Sequence, residues 1–184
     1  NNKNRLINFK RYGYINKNYK IGFSEFVIVS YDHLTNKELR LISPSAILFE
    51  TEINGLKNSN LFWLFDFQLL FKNWSIFSEF LIDDISIDRQ SPNKIAARFW
   101  IAKKNKKSSL KIQYIRINRW VGNYYNPELR MLYKNVLIGH SIGPDAHQIS
   151  MHCKLYLFPK IVSFIDLFVL NKGSSNINDW PENV

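Results

Sequence analysis

Glu25 to Tyr31 (Glu-Phe-Val-Ile-Val-Ser-Tyr) is a β-branched and aromatic run that suits a strand. Turn residues fill Asp32 to Lys37. Glu38 to Ile42 then alternates until Ser43-Pro44 breaks it, so the pair reads as a hairpin with one face inward. A further short strand is expected over Ala46 to Glu52, ending at Asn54-Gly55. The aromatic stretch from Leu61 to Phe80 is too long for one strand and predicts helix over at least part of its length. On a wheel its polar members (Asp66, Gln68, Lys72, Asn73, Glu79) scatter around the circumference, so such a helix would be buried in protein or lie in a membrane interface.

Asp83 to Asp88 returns to strand alternation before the turn at Ser91-Pro92-Asn93. Ile95 to Ala102 and Leu110 to Ile117 are two β-rich runs joined by a lysine-loaded tip. In the second run the phase slips at Ile115, which predicts a bulge. Trp120 to Pro127 reads as an aromatic loop, Glu128 to Asn135 as a short helix and Val136 to Ile138 as a short strand. Met151 to Phe158 and Ile161 to Leu170 form two closing apolar elements. The fold class expected is α+β: mainly antiparallel hairpins, one of them lysine-tipped, with one or two helices. The domain layout expected is a basic N-terminal extension (1–24), a single β-rich domain (25–171) and a polar tail (172–184), with no internal repeat.

Composition narrows the class. Hydrophobic residues make up 46% and aromatics 15% of the 184 positions, too much for a disordered chain and enough for one sizeable core. Such an aromatic share favours a subunit whose surfaces are covered by partners. The single Cys153 cannot form an internal disulfide, which points to a reducing compartment. The polar start carries no secretory pattern, and no apolar run reaches the roughly 20 residues of a membrane-spanning helix, so the chain reads as soluble. Residues with AT-rich codons dominate, the mark of an organelle, a symbiont or a protist genome.

The net charge of +10 is concentrated. Residues 1–24 and 94–119 contain no acid and hold fifteen of the 25 basic residues. Acid-free basic segments are what binding to a phosphate backbone uses. The candidate RNA contacts are Lys3, Arg5, Lys10, Arg11, Arg98, Lys103, Lys104, Lys106, Lys107, Lys111, Arg116 and Arg119. Trp120, Tyr124 and Tyr125 offer stacking surfaces beside Arg116 and Arg119, although a packed corner explains them better.

Catalytic motifs are thin. Gly139-His-Ser-Ile-Gly143 resembles the nucleophile elbow of α/β-hydrolases, with Ser141 as nucleophile. His147 and His152 would fall on or near a helix directly after it, where neither can act as base, and the motif reads as coincidental. His140, His147, His152 and Cys153 lack the spacing of a metal site. Asp83, Asp84 and Asp88 are the one acidic cluster, but adjacent strand positions point apart. No Gly-rich phosphate loop exists. No enzyme activity, metal or cofactor is expected. The reading from sequence is a structural RNA-binding subunit, foremost a mitochondrial (matrix-side) ribosomal protein contacting rRNA. The alternative is a non-catalytic accessory subunit of an organellar membrane complex, its basic segments facing anionic headgroups.

Overall fold

The computed structural model describes residues 4–33, 35–43, 58–84, 93–133, 136–158 and 161–175. Its strands are β1 (Asn4–Ile15), β2 (Tyr19–Tyr31), β3 (Ser59–Phe71), β4 (Trp74–Asp84), β5 (Lys94–Lys104), β6 (Ser108–Ile117), β7 (Leu132–Tyr133), β8 (Val136–Leu137), β9 (Ala146–Phe158) and β10 (Ile161–Lys172). Eight of them form one antiparallel sheet in the order β1-β2-β3-β4-β5-β6-β9-β10, and β7 pairs with β8. The helical content is one helix, α1 (Asn36–Ile42), and a 3₁₀ turn at Pro127–Leu129. The expected α+β class is therefore corrected to a nearly all-antiparallel β fold.

The largest correction falls on the aromatic stretch at 61–80, which is the β3–β4 hairpin and not a helix. Lys72 takes the left-handed conformation (φ 50°) in the tight turn 72–73, a conformation the Lys-Asn pair gives little sign of. Glu38–Ile42, expected to be a strand, is helical. The register of β5 and β6 runs without a shift past Ile115, so the expected bulge is absent. Ile115 instead sits on the polar face because a loop residue, Ile142, covers it. The helix expected over 128–135 shrinks to the 3₁₀ turn. Residues 4–24, read as a basic extension, are β1 and the first part of β2. The strand expected at 46–52, Asp88, Lys3 and the end of the tail (176–184) lie outside the described residues.

Register places each side chain on one of two faces. On the first, a row crosses seven strands as Tyr19, Leu69, Ile76, Ile101, Ile112, Met151 and Leu167. The next row is Tyr14, Ile21, Phe67, Ser78, Phe99, Tyr114, Ile149 and Val169. These rows are apolar apart from Ser78, yet Ile21, Phe67, Phe99, Ile112, Tyr114, Ile149 and Val169 are all exposed. The opposite face carries Arg11, Ser24, Asp66, Gln68, Glu79, Arg98, Lys111, Gln113 and Ser150. Thus the period-two pattern gathers Ile, Phe, Tyr and Val into exposed rows on one face and the charged groups of the central strands on the other, although exposed Phe9, Ile15, Phe164 and Phe168 on the edge strands also lie on the charged face.

Besides the Ile115–Ile142–Ala146 cluster, two small cores sit toward one end of the sheet. On the apolar face, α1 sets Leu41 against Val27 and Val29, with Leu6 and Leu61 alongside. On the polar face, Leu129 packs on Ile28 and Phe62. The connections differ by end. Residues 16–18, 72–73, 105–107 and 159–160 join strands at one end, whereas 32–58, 85–93 and 118–145 join them at the other.

Candidate functional site: the polar face and the loop that covers it

Asp66 and Glu79 are directly opposed on β3 and β4, and each meets an arginine on its outer side. Arg11 on β1 reaches across β2 to donate to both Asp66 carboxylate oxygens, at 2.7 and 2.8 Å. It can do so because Gly22 stands between them: a Cβ there would run into the Asp66 carboxylate and the Arg11 guanidinium. Arg98 donates to Glu79 at 3.1 Å and lies 5.1 Å from the Phe77 ring. Two adjacent carboxylates would repel, and an arginine at each end compensates them, giving a plus-minus-minus-plus ladder across five strands. Farther along the face, the His152 ring and Asp166 contact at 2.7 Å.

The long connection 118–145 folds back over this face and is tied down at several points. Asp83 Oδ2 accepts from the buried Gly122 N–H at 2.7 Å. Arg5 donates to the carbonyls of Leu132 (2.6 Å) and Arg130 (2.8 Å). Lys94 Nζ donates to the Asn123 carbonyl at 3.3 Å, and Asn60 to that of Leu129 at 3.2 Å. A loop that buries its backbone must satisfy it, and these sheet side chains do so. At the loop's end, Gly173 N–H donates to the Asp145 carbonyl at 2.7 Å.

Between loop and sheet lies a cavity of about 330 Å³. Its walls are mainly apolar (Leu64, Leu81, Ile115, Val121, Met131, Ile138), with Glu79, Arg98 and His140 supplying the polar groups. His140 Nδ1 accepts from the Ile142 N–H at 3.4 Å, leaving Nε2 to carry the proton of the neutral ring. Burial lowers the His140 pKa below its ordinary value, and the positive charges of Arg98 and Lys111 push it the same way.

The elbow-like motif belongs to this loop. Gly139 (φ 127°) and Gly143 (φ 72°) permit left-handed turns that bury Ile142 against Ile115 and leave Ser141 exposed. The segment leads into β9 instead of the expected helix, with His147 and His152 on opposite faces of that strand. Asp83 is spent on anchoring the loop. Among the described residues no cluster of three or more His, Cys, Asp or Glu is placed to hold a metal.

Of the twelve cations singled out from sequence, the eleven that are described do not form one patch. Arg5, Arg11, Arg98, Lys104 and Lys111 lie on the polar face, and Lys10, Lys103 and Arg116 on the apolar one. Lys10 stands opposite the buried Glu25, and Lys103 Nζ lies 4.9 Å from the Trp74 ring. Arg116 donates to Asn118 at 3.4 Å; Arg119 stacks 4.6 Å from Trp120 and donates to Ser175. Lys106 and Lys107 are exposed in the β5–β6 turn. Tyr124 and Tyr125 contact each other at 4.7 Å, and Lys94 lies 5.5 Å from Tyr124, so Tyr124 is packed while Tyr125 stays exposed. Sequence reasoning missed Asp66 and Glu79 as partners of Arg11 and Arg98. The signal was there in their period-two spacing with Gln68 and Ser75, but a helix reading hides it.

Comparison with protein-family models, curated proteins and solved structures finds no match for this chain.

Proposed function

We propose that this chain forms the wall of a transmembrane β-barrel of the outer-membrane type, with the apolar face toward lipid and the charged face toward a lumen narrowed by loop 118–145. The observation that carries the reading is the exposed apolar face. A sheet in water does not leave rows of Ile, Phe, Tyr and Val uncovered across seven or eight strands, whereas lipid is the solvent such rows require.

Three further features support it. Strands of ten to thirteen residues, tilted by about 45°, cross a membrane's hydrocarbon core. Short turns at one end and long connections at the other are the usual asymmetry of such barrels. Several polar outer-face residues lie toward the ends, Lys103 beside Trp74 near the short turns and Arg116, His147 and Asn171 aligned on neighbouring strands near the long loops, whereas Lys10 and Glu25 oppose each other midway along β1 and β2. Aromatic and basic side chains belong at membrane–water interfaces. No helix among the described residues is long and apolar enough to cross a membrane.

Within lipid an unpaired strand edge costs several kcal/mol per backbone group, so β1 and β10 must be paired there, with each other or with further strands. Their antiparallel relation permits direct pairing. The lumen, lined by the Arg11–Asp66 and Glu79–Arg98 pairs, admits polar solutes. The rRNA-binding expectation draws support from the lysine-rich β5–β6 turn, but the other cations named for it divide between two faces or serve in ion pairs.

The test is a cysteine scan of residues 97–102 on a Cys153→Ser background, refolded into phosphatidylcholine vesicles and labelled with an environment-sensitive dye. Labels at 97, 99 and 101 should be blue-shifted and quenched by brominated acyl chains, and those at 98, 100 and 102 should not. A uniform response, or protein washed off the vesicles by alkaline carbonate, removes the proposal.

A further inference from the structure

We propose that the depression at the short-turn end of the polar face binds a multiply charged oxyanion carried by a soluble solute, a di- or triphosphate group being the best fit. The depression, open to solvent, measures about 870 Å³; Lys72, Lys104, Lys106 and Lys111 line it, Lys103 borders it from the opposite face, and no carboxylate lines it. Ser75, Ser109, Asn73 and Asn105 also face it and add neutral donors. Trp100 forms part of its wall, with Lys111 Nζ 5.3 Å from the indole.

Register shows how the cations are spaced. Lys104 and Ser109 are directly opposed on β5 and β6, about 4.8 Å apart, and Lys111 lies two residues farther along β6 on the same face. Long side chains from Lys104 and Lys111, with Lys72 and Lys106 from the adjoining turns, can converge on one group several ångströms across. A single carboxylate would leave most of the donors unused, whereas a di- or triphosphate offers enough oxygens to take them all. The nearest acid along the face, Asp166, is occupied by His152, which stands between it and Lys111. A tight lysine cluster on one wall is self-repelling, and a bound polyanion converts that repulsion into attraction. The open mouth and the indole face leave room for an attached organic group.

The inference rests on the proposed barrel only for the site's address at one mouth of the lumen. The full-length chain is refolded in zwitterionic micelles, its β circular dichroism is checked for every variant, and inorganic pyrophosphate is titrated by calorimetry and tryptophan emission. Saturable one-to-one binding is expected, with an emission change that Trp100→Phe removes and an affinity that falls as salt is raised. The Lys104→Gln/Lys111→Gln double variant should weaken binding about tenfold or more, while Lys172→Gln, at the far end of the sheet, should leave it within about twofold. Absence of saturable binding to the folded chain overturns the site. So does an equal loss in Lys172→Gln, which would mean general charge attraction, and so does a response to phosphatidylglycerol but not to pyrophosphate. Because these measurements need no bilayer, their failure leaves the barrel reading standing. Failure of the dye alternation, with pyrophosphate binding intact, removes the barrel and keeps the site.

Discussion

Replacing Ile112 by arginine separates a membrane sheet from a water-soluble one. Ile112 is central in β6, in the row between Ile101 and Met151, with its side chain on the apolar face and the residue 44% exposed. Ten residues at about 3.3 Å each, tilted about 45°, span roughly 23 Å, close to the ~25 Å apolar band of such barrels, so in the proposed barrel Ile112 would fall near the midplane. In water an arginine at a half-exposed position changes stability by no more than about 0.5 kcal/mol. At the bilayer midplane the same change costs about 2–4 kcal/mol, a shift of roughly thirty- to nine-hundred-fold in the folding equilibrium. The assay is reversible urea unfolding of vesicle-inserted protein, followed by tryptophan emission. Gln148→Arg on the polar face is the control and should stay within about 1 kcal/mol. A cost below about 0.5 kcal/mol for Ile112→Arg, or equal costs at the two positions, would refute lipid exposure.

Gly22→Ala should cost about 1–3 kcal/mol, because its methyl group displaces the Arg11–Asp66 pair; loss of stability no larger than for Gly13→Ala would show the pair unimportant. Asp83→Ala removes the acceptor for the Gly122 N–H and should loosen loop 118–145 by about 1–3 kcal/mol, read as faster hydrogen exchange there but not in β5. His140 makes the loop sensitive to pH. With its folded pKa below the ordinary 6.5, the unfolded state binds the proton more readily. Its contribution is thus fully present above about pH 6.5 and is lost as pH falls through the lower folded value. Limited proteolysis of the loop should accelerate between pH 7 and 5, and His140→Gln should abolish that dependence; an unchanged profile counts against it.

The lysine-tipped hairpin was legible in the sequence because both arms carry β-branched residues and the tip carries none, and the second half of β2, Glu25–Tyr31, follows from the same local chemistry, whereas the start of β9 falls where a helix is expected. Asp66 and Glu79 looked like scattered polar positions on a helix, since the turn at Lys72-Asn73 lacks the glycine that would announce a hairpin. Once that segment is two strands, the same residues fall on one face with Arg11 and Arg98. The partner of Arg11 lies 55 positions away, and no local pattern can state such a pairing.

The sequence by itself determined that the chain is rich in alternating β segments and that its positive charge falls in two acid-free stretches, because both are properties of neighbours along the chain. Tertiary structure alone decided which parity of each strand shares a face with which parity of the next, since register is set by the turns and a slip of one residue exchanges the faces. That decision aligned the apolar positions of eight strands into exposed rows. It also divided a basic segment that looked uniform between an exposed apolar side and a polar side covered at one end by loop 118–145.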